Sequence, residues 1–436
     1  MPSDSVLNDI PITVIGGRGP HGLALHLWMR DRGLAGYRLL DPAPHWLPLY
    51  GPDGPMQAVT HLRSPRELDF SLGVGARAMR HFVDDDGSRP LERVYRLEEA
   101  DNPEVNEFTT AEVRAPRLAF WRYANAVAGE SGADAHVLQA SVSRLEPQGE
   151  GWRVHLADGR AFATAAVVLA TGLMPHRRIP RPWRYWWDRL PPTCKAHALA
   201  YDYPKEALAG KRVAVLGSSN IATWEATVLA AEQGARVTLL SRALNPIEWQ
   251  LPFPPHWFSA EGMGAFMGLD AARRLRILKK TYVPASSLPG MAQRAYRAGV
   301  RVCHYARVQY ASELWGGVQL HYKTPAGDVA ERFDLLLAAT GVSPRLKELP
   351  LLADAACAHK APVVVSGPAK GRPILDDSGR WKNLPPLYPM GAHALMRAGL
   401  AANTLASATV YLPLTLPHIR EQAGLFAPDL DIEKAA

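Results

Sequence analysis

Three glycines near the start of the chain have the spacing of a phosphate-binding loop. Gly17, Gly19 and Gly22 follow the apolar run 12–15 and form the pattern Gly-x-Gly-x-x-Gly. In such a loop the first glycine makes a tight turn, the second lets the backbone approach a pyrophosphate, and the third lets helix and strand pack closely. The pyrophosphate then meets free N–H groups at the helix N-terminus. The loop predicted to bind a dinucleotide comprises Gly17, Arg18, Gly19, Pro20, His21 and Gly22.

The elements around this loop follow the order of a βαβ nucleotide-binding unit. Residues 12–15 predict a strand, 23–29 have a helical pattern, and 37–40 predict a second strand that ends in Asp41. An acidic residue at this position holds a ribose hydroxyl of the dinucleotide. A glycine-rich turn in an unrelated α/β protein is the alternative, and the order of strand, helix, strand and acid argues against it.

A second, altered copy of this unit lies in the middle of the chain. The apolar run 212–216 leads into Gly217, Ser219 and Ala222, which occupy the three glycine positions. Serine adds only a small side chain, and alanine is a recognised variant at the third position. The next strand is followed by Arg242 rather than an acid, and arginine can clamp a ribose 2′-phosphate. A solvated surface role for Arg242 is the alternative. The predicted NADPH site comprises Gly217, Ser218, Ser219, Asn220, Ile221 and Arg242.

Both halves of the chain also contain a strand that ends in Ala-Thr-Gly. The threonine and glycine, Thr171–Gly172 and Thr340–Gly341, are predicted to contact the two cofactors. Alternating helices and apolar strands predict parallel sheets covered by helices. The predicted fold class is α/β, with two Rossmann-like dinucleotide-binding domains. The predicted limits are 1–190 for the first part of one domain, 191–204 for a linker, 205–330 for an inserted NADPH-binding domain and 331–436 for the completing part.

The composition excludes several classes of protein. The chain has 436 residues, of which 47% are apolar and 21% charged, as expected of a globular protein with two or three domains. Its cysteines, Cys194, Cys303 and Cys357, lie far apart. This spacing excludes a disulfide scaffold, a four-cysteine zinc site and a dithiol redox centre. No spacing of His, Asp or Glu predicts a metal site.

Charge and hydropathy bear on the partners of the chain. The net charge of +7 is spread along the sequence, whereas a nucleic-acid-binding protein concentrates its charge in a patch, so we expect no nucleic-acid partner. No run of about 18 or more apolar residues predicts a membrane span, and the N-terminus lacks the features of a signal peptide. We therefore expect a cytoplasmic protein. The tryptophan-rich segment 183–187 suits either core packing or an interface between identical copies, and we favour core packing.

Two dinucleotide sites in one chain imply electron transfer between two cofactors. A nicotinamide delivers hydride, and a flavin is its usual acceptor. Because the chain has no Cys-x-x-Cys motif, we do not expect onward transfer to a disulfide.

In these motifs the chain resembles the flavin-dependent (class B) monooxygenases that have two dinucleotide-binding domains. Its pattern is most similar to that of the ornithine and lysine N-hydroxylases. The resemblance covers nearly the whole chain and rests on both loops, both Ala-Thr-Gly ends and the segments 45–46 and 56–57. It implies that the first domain binds FAD and the second binds NADPH.

The resemblance also implies roles for individual residues. Those implied to position the flavin or the substrate are His45, Gln57 and Arg63, and those implied to contact FAD are Trp46, Met56 and Gly391. After Gly391 a helical pattern extends over 395–410. In the group, a helix N-terminus here closes over the flavin, and its dipole stabilises negative charge on the reduced flavin.

The chain departs from the group's pattern at several positions. His197 is similar to the second part of the group's fingerprint, but Pro191 and Thr193 stand where the first part is expected. Arg63 stands one residue out of register in place of the group's substrate-gripping lysine, and Ala392 stands where an acid usually follows the glycine. The substrate therefore need not be an amino acid. The histidines predicted to be isolated and structural are His61, His81 and His393.

The activity that the resemblance implies is an NADPH- and O2-dependent oxygenation. NADPH reduces FAD, and the reduced flavin reacts with O2 to give a C4a-(hydro)peroxyflavin, which transfers an oxygen atom to a small molecule. N-hydroxylation of an amine is the preferred interpretation. The alternatives are Baeyer–Villiger or sulfur oxygenation, a flavin reductase or NADPH oxidase that releases hydrogen peroxide, and a flavin-binding regulator without turnover.

Overall fold

The structure, a computed structural model, describes residues 9–56, 61–65, 71–73, 79, 114–172, 176–201, 208–217, 222, 226, 229, 233–242, 255–281, 295–343 and 345–425. Within these ranges the strands are β1 (Ile10–Ile15), β2 (Tyr37–Leu40), β3 (His61–Pro65), β4 (Arg114–Pro116), β5 (Val137–Leu138), β6 (Val142–Gln148), β7 (Gly151–Leu156), β8 (Ala161–Leu169), β9 (Lys195–His197), β10 (Arg212–Leu216), β11 (Arg236–Leu240), β12 (Arg301–Cys303), β13 (Arg307–Leu314), β14 (Gly317–Thr324), β15 (Gly327–Phe333), β16 (Leu335–Ala338) and β17 (Leu387–Pro389). The helices are α1 (Pro20–Asp31), α2 (Arg117–Ser131), α3 (Arg181–Trp187), α4 (Ala260–Gly268), α5 (Ala271–Thr281), α6 (Pro350–Ala358), α7 (Leu395–Ala398) and α8 (Leu412–Gln422). None of these helices is long and apolar enough to cross a membrane.

The first sheet has seven strands in the order β5-β2-β1-β8-β7-β6, with β17 paired to β8. Strand β1 runs parallel to both β2 and β8, and Val14 lies opposite Leu39 on one side and Val168 on the other. Strand β17 also runs parallel to β8, with Tyr388 opposite Val168. The C-terminal part of the chain therefore returns to the sheet that the N-terminal part begins.

Helix α1 connects β1 to β2 and covers one face of this sheet. Pro20 occupies its first turn, where a missing N–H removes no helical hydrogen bond. Leu23 and Leu27 on its inner side are buried, as are Ile12 and Val14 of the strand beneath. The predicted order of strand, helix and strand in this region is confirmed.

The second sheet has five parallel strands in the order β12-β11-β10-β16-β9. Strands β13, β14 and β15, which lie between β12 and β16 in the chain, form a separate antiparallel sheet. The second sheet is wholly parallel, and the first is mixed, with β5, β2, β1, β8 and β17 parallel and β7 and β6 added antiparallel. Together with the helices, these sheets confirm the predicted α/β class. Strand pairing extends the second sheet from Lys195 to Ala338, past the predicted range 205–330 on both sides. The domain limits themselves stay a prediction.

The helix predicted to run continuously over 395–410 is wrong. Helix α7 ends at Ala398, because Gly399 takes a positive φ of 60° and starts a 3₁₀ helix, and a separate π-helical turn spans Ser407–Tyr411. A Cβ at Gly399 would lie 3.1 Å from the Phe266 ring, so the packing of α4 on this segment requires glycine. A helix of four residues is too short for the dipole effect that the pattern implied.

The tryptophan-rich segment lies inside the chain. Helix α3 packs on β13, and Trp186 and Trp187 are buried in one apolar cluster with Val318 and Leu320 of β14. Its neighbour Tyr185 is exposed. This burial agrees with core packing for the two tryptophans.

Candidate functional site

Three parallel strands of the first sheet end side by side. Ile15 of β1 pairs with Leu169 of β8, and Leu169 pairs with Pro389 of β17. The glycine loop, Thr171–Gly172 and Gly391, which follow these strands, therefore meet at one edge of the sheet. Ligands of open α/β sheets bind in the crevice at the carboxyl ends of the strands. This edge is the candidate site.

Two glycines of the loop at this edge have no room for a side chain. A Cβ at Gly22 would lie 1.9 Å from the Gly17 carbonyl oxygen, and a Cβ at Gly17 would lie 2.6 Å from the Leu39 Cβ. Helix α1 begins after Gly19, its N-cap residue, and no side chain caps its first N–H groups. Glycines packed this closely at an uncapped helix N-terminus fit a pyrophosphate, which accepts hydrogen bonds from those N–H groups.

Gly16, which the spacing motif does not include, is the structural counterpart of Gly217. Each glycine directly follows the last paired residue of its strand. A Cβ at Gly16 would lie 2.6 Å from the Ala170 carbonyl oxygen, and one at Gly217 would lie 2.4 Å from the Ala339 carbonyl oxygen. The interval from Gly16 to Gly22 is therefore one residue longer than the interval from Gly217 to Ala222. The shared contact with an Ala-Thr-Gly alanine identifies Gly16, and it is visible only once the strands are paired.

The predicted ribose-binding acid, Asp41, is buried behind this loop. Its carboxylate accepts hydrogen bonds from the backbone N–H of Arg18 at 3.1 Å and of Ala43 at 2.9 Å. Burial raises the pKa of Asp41. The Arg18 guanidinium lies 3.0 Å from the Asp134 carboxylate and 5.4 Å from the centre of the Trp46 ring. Asp41 and Arg18 thus hold the shape of the loop, and the contact of Asp41 with a ribose stays a prediction.

The residues predicted to contact flavin after β2 have different environments. Trp46 is buried, and its Nε1 donates to Asp134 at 3.1 Å, so it supports Arg18 from behind the loop. His45 is exposed, and Met56 is half-buried with its backbone N–H directed to the Leu49 carbonyl oxygen. Their contacts with flavin stay predictions.

Some predicted site residues lie outside the described part of the chain. These are Gln57, Ser218, Ser219, Asn220 and Ile221. Arg63 lies on β3, of which the structure describes the backbone at this position but not the side chain.

His21 of the glycine loop contacts the C-terminal segment. Its Nε2 lies 2.6 Å from the Ser407 hydroxyl, which itself donates to the Thr404 carbonyl oxygen at 3.0 Å. The His21 ring therefore donates through Nε2. Desolvation lowers the pKa of His21 to about 4, so the ring is neutral at pH 7. Gly391, at a φ of 60°, faces this ring, and a Cβ there would lie 3.2 Å from His21 Cε1.

His393, predicted to be an isolated structural residue, lies at this same edge. It is fully buried, and its Nε2 lies 3.2 Å from the Gly172 carbonyl oxygen, to which it donates. Burial, with a smaller contribution from His176, lowers the pKa of His393 to about 3. The two rings are 4.8 Å apart and meet edge to face. The sequence could not reveal this contact, because 221 residues separate its two partners.

The second loop is bounded by a similar histidine contact. His197 Nε2 lies 3.2 Å from the Gly341 carbonyl oxygen, while His197 Nδ1 accepts from the Leu199 N–H at 3.1 Å. The Thr340 hydroxyl donates to the Arg178 carbonyl oxygen. Arg242 is exposed just past the carboxyl end of β11. Across the described ranges, no group of three or more His, Cys, Asp or Glu side chains could hold a metal ion.

Comparison with known proteins supports this arrangement. Residues 14–174 match the model of a family described as FAD-NAD(P)-binding. A search of curated protein sequences finds no match to the chain.

Several solved structures have the same fold over almost the whole chain. An ornithine hydroxylase from Pseudomonas aeruginosa is 17% identical with a TM-score of 0.71, and an ornithine N-hydroxylase from Kutzneria sp. 744 is 16% identical with a TM-score of 0.72; in both cases the match covers 95% of this chain and 99% of the other. An L-lysine 6-monooxygenase from Pseudomonas syringae is 19% identical with a TM-score of 0.63, and the match covers 92% and 99%. The predicted resemblance is thereby confirmed at the level of the fold.

Proposed function

We propose that the chain is an FAD-dependent NADPH monooxygenase that hydroxylates the nitrogen of a small amine. The observation that carries the proposal is a loop at an uncapped helix N-terminus in which Gly17 and Gly22 have no room for a side chain. At the second sheet, Gly217 makes a similarly close contact with Ala339. The Kutzneria ornithine N-hydroxylase, whose structure holds reduced FAD, NADP+ and L-ornithine, supports the choice of cofactors and reaction.

The first loop would hold FAD along the carboxyl edge of the first sheet. Its pyrophosphate would accept hydrogen bonds from the N–H groups at the start of α1. The adenosine ribose would lie toward Asp41, whose carboxylate is already oriented by two backbone N–H groups and retains lone pairs for a hydroxyl. The flavin half would then extend the other way, toward Gly172 and Gly391.

The second loop would hold NADPH in the same manner. Gly217 lies against Ala339 as Gly16 lies against Ala170, which leaves both loops close to the end of a neighbouring strand. Arg242, exposed beyond β11, would meet the ribose 2′-phosphate. A positively charged group at this position favours NADPH over NADH.

The chain's own side chains would position the cofactor and the substrate, and they would not transfer protons. Bound FAD would supply the redox chemistry: electrons from NADPH would reach O2 through it, one oxygen atom of O2 would go to the amine, and the other would leave as water. His21 and His393 are neutral at pH 7, because desolvation lowers the pKa of His21 to about 4 and that of His393 to about 3. They contribute hydrogen bonds to Ser407 and to the Gly172 carbonyl oxygen at this edge.

An NADPH oxidase that releases hydrogen peroxide is the second candidate. Both ring nitrogens of His197 are engaged within the protein, by Gly341 and by Leu199, so neither is left for NADP+. Pro191 and Thr193 replace the first part of the monooxygenase fingerprint. If NADP+ were held weakly after it reduces the flavin, release of hydrogen peroxide would be favoured over oxygenation of a substrate.

Stopped-flow absorbance followed by product analysis tests the proposal. The FAD-loaded chain is reduced anaerobically with NADPH and mixed with oxygenated buffer, with and without a panel of amines, thioethers and ketones. We expect NADPH consumption matched by a hydroxylated amine. Consumption matched by hydrogen peroxide with every compound would favour the oxidase, oxygenated thioethers or ketones would change the reaction class, and no reduction by NADPH would contradict the enzyme.

A further inference from the structure

One carboxylate oxygen joins two loops beyond the end of β2. Asp134 Oδ1 accepts a hydrogen bond from Trp46 Nε1 at 3.1 Å, and the same oxygen lies 3.0 Å from Arg18 Nη1. The Arg18 guanidinium also lies over the Trp46 ring, 5.4 Å from its centre. Arg18 belongs to the glycine loop, and Trp46 belongs to the segment 41–47 that follows β2. Arg18, Trp46 and Asp134 are named the Asp134 cluster below.

The backbone beside this cluster has a conformation that needs support from its surroundings. Leu47 is buried and has a φ of 49°, in the left-handed region that a leucine rarely adopts. Its N–H donates to the Arg18 carbonyl oxygen at 2.8 Å. A residue keeps such a strained conformation only where the surrounding contacts outweigh its cost, and strained residues concentrate at ligand-binding segments. This hydrogen bond and the Asp134 cluster together hold the segment 41–47 against the glycine loop.

Arg18 connects the cluster to both places where the adenosine half of the proposed dinucleotide would bind. Its backbone N–H donates at 3.1 Å to Asp41, the residue proposed to meet the ribose. The next residue, Gly19, is the N-cap of α1, where the pyrophosphate would lie. A displacement of Arg18 would therefore disturb the ribose contact and the pyrophosphate contacts together.

The Arg18 side chain is engaged within the protein. It is only 11% exposed and its charge is paired with Asp134, so it supports the loop and is not a free cation. We infer that Asp134 is a positioning residue for the adenosine half of FAD. It fixes Arg18 and Trp46, and through them it holds the glycine loop and the segment 41–47 in the conformation that binds the ligand. The inference rests on the proposed function.

Two substitutions of Asp134 separate its contacts from its charge. Asp134→Ala removes the acceptor of both Trp46 and Arg18, whereas Asp134→Asn removes the charge and keeps an oxygen at the same position. The full-length chain, stripped of flavin, is titrated by calorimetry with FAD and separately with ADP, which has the ribose and pyrophosphate but no flavin. Asp158, an exposed residue whose carboxylate lies 2.7 Å from the Arg160 guanidinium, provides the matched control Asp158→Ala.

We expect Asp134→Ala to weaken FAD and ADP binding by the same factor, about five- to twentyfold, because the loops lose the conformation that the ligand requires. Asp134→Asn should bind both ligands within about threefold of the unaltered chain. Asp158→Ala should change neither affinity. The denaturation midpoint of the flavin-free chain should stay nearly unchanged in all three variants, since exposed ion pairs add little to stability and the Asp134 side chain is 62% exposed.

Three results would overturn the inference. The first is an unchanged affinity for ADP in Asp134→Ala. The second is tighter ADP binding in that variant, which would show that Asp134 withholds Arg18 from the phosphates. The third is an equal loss in Asp134→Asn and Asp134→Ala, which would assign the effect to charge and not to position.

A second variant keeps the test open if Asp134→Ala does not fold. Asp134→Ser retains a hydroxyl near Trp46 but is too short to hold Arg18, and it should weaken ADP binding about five- to twentyfold. Unchanged ADP affinity in this variant overturns the inference. An unaltered chain that binds neither FAD nor ADP overturns the inference together with the proposed function, whereas FAD binding without oxygenation of any compound removes only the proposed reaction.

Discussion

Gly22 lies so close to the Gly17 carbonyl oxygen that a Cβ at residue 22 would be 1.9 Å from it. The obstacle is backbone rather than the end of a flexible side chain, so helix α1 would have to move off the sheet. We expect Gly22→Ala to lower the free energy of unfolding by about 2 kcal/mol or more and to abolish FAD binding. Chemical denaturation and FAD titration measure both effects.

Gly129 provides the matched control for this substitution. It is an exposed glycine of helix α2 with nothing within 4 Å of its Cβ position. Gly129→Ala should raise the free energy of unfolding by about 0.5–1 kcal/mol, because alanine loses less backbone entropy in a helix. Tolerance of alanine at Gly22 with normal FAD binding would contradict the close packing of the loop.

Arg242 and Arg236 lie at opposite ends of strand β11, and both are exposed. Arg242→Ala should raise the KM for NADPH about five- to twentyfold and leave that for NADH nearly unchanged, because only NADPH carries a 2′-phosphate. Arg236→Ala removes the same charge from the other end of the strand and should change neither constant. Steady-state kinetics with both nucleotides tests this, and equal effects of the two substitutions would count against a phosphate contact.

Ser407 links the C-terminal segment to the glycine loop through His21. Ser407→Ala leaves the donor at His21 Nε2 without the partner that lies 2.6 Å away, at a buried position. We expect a loss of about 1–3 kcal/mol in the free energy of unfolding. Ser143→Ala removes an exposed hydroxyl that donates to the His155 carbonyl oxygen, and it should cost no more than about 0.5 kcal/mol. Denaturant titration measures both losses. Equal losses in the two variants would show that the contact of Ser407 with His21 contributes no more to stability than an exposed hydrogen bond.

His26 makes stability depend on pH. Its Nδ1 lies 2.7 Å from the Tyr37 hydroxyl, and burial lowers its pKa to about 4 from an ordinary value of 6.5. The unfolded chain therefore binds more protons than the folded one between pH 6.5 and 4, so stability is complete above pH 6.5 and falls as the pH drops through this window. The contribution of this ring has a slope of up to about 1.4 kcal/mol per pH unit.

Denaturation curves from pH 7.5 to 5 measure that slope. His393, with a pKa lowered to about 3, contributes in the same direction when no ligand is bound. His26→Gln keeps a donor for the Ser131 carbonyl oxygen, which lies 3.2 Å from His26 Nε2, and removes the titrating group. The slope of the unfolding free energy against pH should be smaller in the variant by the contribution of one titrating group. An identical pH dependence in both chains would contradict a neutral, buried His26.

The sequence by itself determined the order of strand, loop, helix and strand in the first unit and the α/β fold class. Strand β1, helix α1 and strand β2 follow one another within about thirty residues. Local hydrophobic periodicity and glycine spacing are therefore sufficient to identify this unit. The same local reasoning failed for the helix over 395–410, because the packing of Phe266 against Gly399, which breaks that helix, involves residues far apart in the chain.

Only the tertiary structure decided which residues meet at the carboxyl edge. Gly16 became the counterpart of Gly217 once both strands were paired with the strands that end in Ala-Thr-Gly. His393 changed from an isolated histidine to a neighbour of Gly172, across 221 residues of chain. Such contacts depend on the return of β17 to the first sheet, and no spacing in the sequence encodes that return. The types of residue follow from the sequence, whereas their hydrogen-bond partners and protonation states follow from burial, which the fold alone creates.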